Sequence, residues 1–176
     1  MLRIRDERPA DAADIAAVTR AAFAGTPYSR GTEPAIVAAL RAAGALSVSL
    51  VAEEGGEILG HVAFSPLSIE GAGPGWFGIG PLSVRPDRQR AGIGSALVEA
   101  GLGRIRDAGA VGCVLVGEIG YYGRFGFARR EGLTYSDVPE EYVLGLAFEG
   151  EMPAGEAVFH PGFAAEAEGV AEGAAE

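Results

Sequence analysis

A chain of 176 residues with 48% hydrophobic content and aromatic residues spread from Phe23 to Phe163 is long enough to bury one core of ordinary size. Its formal net charge of −10, with all 14 basic residues arginines scattered along the chain, argues against a nucleic-acid partner, which needs a concentrated basic face. Apolar runs such as "GCVLVG" and "GALSVSLVA" fall far short of the roughly 20 residues that span a bilayer, and "MLRIRDERPADAAD" lacks the apolar centre of a signal peptide, so the expectation is a soluble cytoplasmic protein with no membrane partner.

In chain order, "LRIRDE" reads as an edge strand and "PADAADIAAVTRAAFAG" as a helix, with Pro9 in its first turn, Asp11 and Asp14 near its positive end, and Ile15, Val18 and Ala22 on one stripe. After the loop "TPYSRGT", "EPAIVAALRAAG" predicts a second helix with Ile36, Val37 and Leu40 on one face and Gly44 as its stop. Residues 45–69 alternate in the strand manner on both sides of Glu54-Gly55-Gly56, which predicts a hairpin of two long strands. A glycine-rich connection at 71–75 leads to a third strand, "WFGIGPLSV", at 76–84. The next predicted helix runs from about Gly92 to Asp107, with Leu97, Gly101 and Ile105 on one face and Val98 and Leu102 beside them. "GCVLVG" then reads as a strand buried on both faces, and it makes a strand, crossover helix, strand unit that is parallel. Cys113 inside it is read as a small core residue. The rest, from Phe127 to Phe163, reads as further strands and turns, and the acidic tail 164–176 is expected to hang off a single domain 1–163 as a disordered extension. The expected class is α/β (α+β): a mixed, mostly antiparallel sheet with one parallel crossover, flanked by helices.

The segment "RPDRQRAGIGSALV" at 85–98 carries the chemistry. At the start of a helix the backbone N–H groups have no intrahelical partner, and the aligned peptide dipoles add roughly half a positive charge. Gly92 and Gly94 remove side chains that would keep a diphosphate away from those groups, Arg88 and Arg90 add charge at the rim, and Gln89 can hold the loop. A dinucleotide fingerprint is excluded, because the third glycine of G-x-G-x-x-G is Leu97, and a P-loop is excluded because the chain has no lysine.

"LSVRPDRQRAGIGSALVEAGL" resembles the GNAT N-acetyltransferase superfamily, whose hallmark [QR]-x-x-G-x-[GA] stands here as Gln89-Arg90-Ala91-Gly92-Ile93-Gly94. A second landmark, Y-x-x-x-G-F, is present as Tyr122-Gly123-Arg124-Phe125-Gly126-Phe127. "GEIGYYGRFGF", "HVAFSPLSI" and "VPEEYVLGLAF" look most like its YhbS-like branch of predicted acetyltransferases, and the resemblance covers about residues 1–163. It implies an N-acetyltransferase that moves an acetyl group directly from acetyl-coenzyme A to a primary amine of a small molecule or peptide, with no metal. The cosubstrate would lie in a V-shaped gap between splayed strands, held by the backbone of Leu82, Ser83 and Val84 and by the loop Gln89, Arg90, Ala91, Gly92, Ile93, Gly94 and Ser95.

By the same resemblance Tyr122 protonates the leaving thiolate, and its neighbour Tyr121 is set aside on spacing. No carboxylate stands on the strand before the motif, where some members carry a glutamate; Glu118, His61 or ordered water are the candidate bases, with Glu118 best placed. The loop between the first two helices is expected to cover the acceptor through Phe23, Tyr28 and Arg30, with Glu70 on the far side, and His160 lies too near the C-terminal end to be assigned. Small amines, amino-acid derivatives, antibiotics and protein N-termini are all compatible acceptors, and the acidic balance favours a cationic one. The exposed last strands could support a homodimer. A non-catalytic acyl-coenzyme A binding or sensing domain is the alternative from a different class: it would keep the phosphate loop and need no tyrosine acid.

Overall fold

The computed structural model describes residues 1–166; of the tail expected at 164–176, residues 167–176 lie outside the described residues, while Ala164 ends the last turn and Ala165 packs on the core. Strand β1 (Arg3–Asp6) leads through a short 3-10 turn at Pro9–Asp11 into α1 (Ala12–Phe23), and α2 (Glu33–Ala42) follows. The long hairpin is β2 (Val48–Glu54) and β3 (Glu57–Ile69), with Gly55 and Gly56 both at positive φ (59° and 83°), as a tight two-residue hairpin turn requires. Next come β4 (Trp76–Val84), α3 (Ile93–Asp107) and β5 (Gly112–Val116). The C-terminal third contributes α4 (Ile119–Tyr122), a single turn, then β6 (Ala128–Arg129), β7 (Leu133–Thr134), β8 (Val143–Ala147) and β9 (Gly155–Phe159).

The strands form one sheet in the order β1-β2-β3-β4-β5-β8-β6. Neighbours along this path are antiparallel except β4 and β5, the expected crossover pair; a second parallel contact, two residues long, joins β7 to β9. β3 outruns β2 by several residues, and β9 pairs with its exposed end at Leu67–Ile69. β3 is buried along most of its length because both faces are covered. Alternation divides the apolar residues between the two faces. Leu50, Val62, Phe64 and Ile79 meet Leu97, Val98, Leu102 and Ile105 of α3, whereas Val51 and Ile58 meet Ile15 and Val18 of α1 and Val37 of α2. Of the stripe predicted for α1, Ala22 is only half-buried and borders a cavity instead. The last turn, Pro161–Ala164, packs through Phe163 and Ala165 on Ile36 and Leu40.

Two features of β4 position the site. Its pairing with β3 steps from Val62 opposite Leu82 to Phe64 opposite Ile79, so β4 carries an extra residue at Gly80-Pro81, and such a bulge bends the strand. On the other side, β4 pairs with β5 only from Trp76 to Gly78, opposite Gly112 to Val114, while β5 remains paired with β8 as far as Val116. Beyond Gly78 the two parallel strands part, and the wedge between them opens toward the N-terminus of α3.

α3 comes this close to the sheet because Gly101 faces Phe64, whose ring would overlap a Cβ placed there. Alanine favours a helix interior by about 1 kcal/mol over glycine, but overpacking costs about 1–3 kcal/mol, so Gly101→Ala is expected to destabilise the protein. Chemical denaturation should show a lower midpoint, with a loss on the order of 1 kcal/mol.

Candidate functional site

The first intrahelical bond of α3 runs from the N–H of Ala96 to the carbonyl of Gly92 at 3.0 Å. The N–H groups of Ile93, Gly94 and Ser95 precede it and have no intrahelical carbonyl to reach. Gly92 caps the helix at φ 87°, and Arg90 also stands in the left-handed region at φ 64°, which is uncommon outside glycine and folds successive N–H groups into a concave loop. Gln89 anchors this loop by donating from Nε2 to the Val84 carbonyl at 3.0 Å. No acidic residue occupies the first turn of α3, while Arg104 and Arg106 sit in its last, an arrangement that complements the dipole and leaves the positive end to a ligand.

A cavity of about 640 Å³ opens at this point. Its lining combines the α3 N-terminus with Leu82 and Val84 of β4, Phe23, Thr26 and Tyr28 from the end of α1 and the following loop, and Tyr121 and Arg124 from the segment after β5. The N–H of Arg85 donates to the Leu59 carbonyl at 2.8 Å, and His61 stands opposite Ser83, so the odd-numbered residues at this end of β4 bond to β3. Leu82 and Val84 therefore turn their peptide groups into the wedge, where β5 no longer answers them and only the Val84 carbonyl has a partner, the Gln89 side chain. Ser83 turns the other way: its backbone serves β3, and its buried side chain lies on the α1 side of the sheet.

The loop residues Gln89, Arg90, Gly92, Ile93, Gly94 and Ser95 all line the cavity, whereas Ala91 is exposed and does not. Arg88 lines it too, but its guanidinium is held by Glu54 at 2.7 Å. Phe23, the last residue of α1, and Tyr28, in the α1–α2 loop and 82% exposed, both line the cavity, whereas Arg30 is exposed and is not among the lining residues. Glu118 is exposed at the N-cap of α4, outside the lining, and its carbonyl accepts from the N–H groups of Tyr121 and Tyr122. No aspartate or glutamate is among the lining residues.

Of the two adjacent tyrosines, Tyr121 lines the cavity. Its hydroxyl is 3.4 Å from Ser95 Oγ and sits over Gly94, where an added Cβ would lie 2.9 Å from it. Tyr122 packs behind it, edge-on at 4.9 Å between centroids, against Phe125, Phe127 and the bare α-carbon of Gly117. Burial, with the neighbouring hydroxyls of Tyr121 and Tyr28, pushes the Tyr122 phenol up to about 12, so it keeps its proton at neutral pH. Glycine 117 and Arg124 carried no sequence signal as site residues: the first ends a strand, and the second is one variable position inside the aromatic turn.

His61 is wholly buried on the α1 face and belongs to a different arrangement. Ser49 Oγ donates to Glu7 Oε1 and accepts from His61 Nε2, 2.8 Å away, while Arg41 donates to both carboxylate oxygens, from Nε to Oε2 at 2.8 Å and from Nη2 to Oε1 at 3.0 Å. Burial pushes the imidazole below its ordinary pKa, against the pull of Glu7. The same burial disfavours the Glu7 anion, but its hydrogen bonds with His61, Arg41 and Ser49 outweigh it and hold the carboxyl well below the usual range. Cys113 is buried and its thiol is pushed far up by desolvation, which suits a core residue rather than a nucleophile. His160 caps the last turn, its Nδ1 accepting from the Gly162 N–H at 2.9 Å, and Glu70 is exposed at the far end of β3.

A GNAT acetyltransferase domain model matches residues 3–130. The uncharacterised N-acetyltransferase YhbS of Escherichia coli is 36% identical over 125 residues, 70% of this chain and 72% of that protein. Among solved structures, a GNAT family acetyltransferase from Brucella melitensis in complex with acetyl-CoA superimposes with a TM-score of 0.83 at 52% identity, covering 93% of this chain and 98% of that one. Escherichia coli YhbS in complex with CoA gives 0.83 at 30% identity, covering 93% and 92%.

Because Glu7 and His61 both have depressed folded-state values, the folded chain binds fewer protons than the unfolded chain in acid, and stability is lost as pH falls. The thermal midpoint is expected to drop on going from pH 7 to 5, below the ordinary histidine value of 6.5, and again below the ordinary carboxylate range. His61→Gln should flatten the first of these declines in a melting series.

Proposed function

This chain belongs to the GNAT acetyltransferase family, and from that premise we propose that it is an N-acetyltransferase that transfers an acetyl group from acetyl-coenzyme A directly to a primary amine. The observation that carries this reading is the meeting, in one cavity, of the open N-terminus of α3 with the unpaired edge of β4. The residues present fit the cosubstrate: the bare α-carbons of Gly92 and Gly94 let an anion reach backbone donors, and the wedge offers an extended, amide-bearing arm the peptide groups that β5 has left. Two similar structures, from Brucella melitensis and Escherichia coli, hold acetyl-CoA and CoA.

Acetyl-coenzyme A supplies an activated acetyl thioester. The chain's part is to hold a diphosphate with the N–H groups of Ile93, Gly94 and Ser95 and the side chain of Arg90, and to pair with the arm through Leu82 and Val84. A peptide N–H on the wedge side of β4 is a donor for the oxygen on which negative charge builds. Tyr122, protonated at neutral pH, is the acid we assign to the departing thiolate, whose parent thiol has a pKa near ~8.5. Its ring lies behind Tyr121 rather than in the cavity lining, and its phenol is close enough to Tyr121 and Tyr28 on that lining to feel their charge, so the proton has to pass at that boundary. The amine's proton leaves through water, because the cavity wall has no carboxylate; Glu118, outside the lining, can assist only through such water. Phe23 and Tyr28 form the acceptor wall, and Arg30 acts at most at its outer edge.

The absence of a carboxylate from the lining residues favours one competing reading, an acyl-coenzyme A binding or sensing domain. Release of free thiol from acetyl-coenzyme A across a panel of primary amines separates the two: turnover with any amine supports the enzyme, and tight binding with no turnover supports the sensor. Tyr122→Phe is expected to lower kcat by about 10²-fold or more with little change in KM for the cosubstrate. Glu118→Gln should cost less than about tenfold, and a loss as large as that of Tyr122→Phe would make Glu118 the base itself.

A further inference from the structure

The arginines around the cavity are not equivalent. Arg88 is bound to Glu54 at 2.7 Å and Arg90 rides on the phosphate loop, so both belong to the wall made by the β4–α3 connection. Arg124 also lines the cavity but comes from a different element, the turn after α4. Its Nε donates to the Tyr121 carbonyl at 2.9 Å, and its guanidinium carbon lies over the Tyr121 ring, 4.4 Å from the centroid. That pairing fixes the plane of the guanidinium and uses one donor only: the two terminal nitrogens have no partner among the described residues, and no carboxylate lies within salt-bridge distance of them. The same Tyr121 ring carries its hydroxyl over Gly94 and to 3.4 Å from Ser95 Oγ. Tyr121 and Arg124 thus form one jaw, contributed by the segment after β5 rather than by the β4–α3 connection, that touches the first turn of α3.

We propose that this jaw is a second phosphate subsite, in which Arg124 pairs with the 3′-phosphate of the coenzyme A ribose and so makes the protein discriminate coenzyme A from dephospho-coenzyme A. The inference rests on the acetyl-coenzyme A reading above and adds a specificity-determining residue to it. The diphosphate is served by the first turn of α3 and by Arg90. The remaining phosphate is a monoester carrying about −1.5 to −2 charges, and an oriented two-nitrogen fork is the donor geometry that matches it. In a chain of net charge −10, such an anion needs a local cation to be held at all. Tyr121 supplies the platform, which keeps the fork from collapsing onto the nearby surface.

The test is titration calorimetry of the intact protein with coenzyme A and with dephospho-coenzyme A. Wild type should bind coenzyme A roughly tenfold more tightly, in keeping with one charge-assisted fork at a partly exposed site. Arg124→Ala should remove that preference by weakening coenzyme A alone, with dephospho-coenzyme A changed less than about twofold, and Arg124→Lys should restore part of it. Tyr121→Leu, which removes the platform and keeps the arginine, should reduce the preference as well. Equal weakening of both ligands by Arg124→Ala would place the arginine on the diphosphate and overturn the proposal, as would equal affinity of wild type for the two. Failure of wild type to bind either would overturn it together with the acetyl-coenzyme A reading, whereas tight binding of both without preference would spare that reading.

Discussion

The separation of β4 from β5 beyond Gly78 is the constraint on which the rest depends. A parallel pair buried between helices ordinarily continues its hydrogen-bond ladder to the end of the shorter strand, since each unpaired buried peptide group costs free energy. Here the ladder stops while both strands continue. The extra residue at Gly80-Pro81 bends β4, and Pro81 has no N–H to give a ladder in any case. β5 keeps its full pairing with β8, so the strain of separation falls on one edge only. The resulting wedge leaves the peptide groups of Leu82 and the N–H of Val84 without a β5 partner, while the Val84 carbonyl is taken by Gln89; open groups of this kind are those an extended, amide-bearing segment can satisfy.

The electrostatics follow the same logic on a local scale. An acidic chain presents a basic, backbone-lined cavity by assembling it from three elements: the loop before α3, the first turn of α3, and the turn after α4. Each contributes donors that are weak alone. The helix end brings partial charge, the left-handed Arg90 and Gly92 shape the loop, and Arg124 joins the lining from the turn after α4. Away from the cavity, acidic and basic side chains cancel in pairs, as Arg5 does with Asp11 and Glu53 and Arg104 with Asp6.

Glycines set the distances between these parts. Gly101 lets α3 settle against Phe64, Gly94 leaves room under the Tyr121 hydroxyl, and Gly117 receives the ring of Tyr122. The second buried polar arrangement, of Glu7, Ser49, His61 and Arg41, has no part in the cavity; it joins the segment after β1, strands β2 and β3, and α2 under the opposite face. The buried His61 commits its Nε2 to this network while its Nδ1 has no partner, so the arrangement is only partly satisfied, which fits the depressed imidazole pKa.

Local features were legible in the sequence because their causes are local. The Gly55-Gly56 turn, the stripes of α2 and α3, the crossover unit and the glycine loop that caps α3 all follow from glycine placement and hydrophobic period within some twenty residues. Which side chains share a cavity is another matter, since it depends on how elements distant in sequence approach one another. Tyr121 and Tyr122 are neighbours in sequence, and only the packing of Tyr122 against Gly117 and Phe127 decides that Tyr121 faces the wedge. Glu118 caps α4 just after β5 and stays exposed outside the lining, Arg30 is likewise exposed outside it, and Arg124 enters it from 32 positions beyond Gly92, because the segment after β5 returns to the α3 N-terminus.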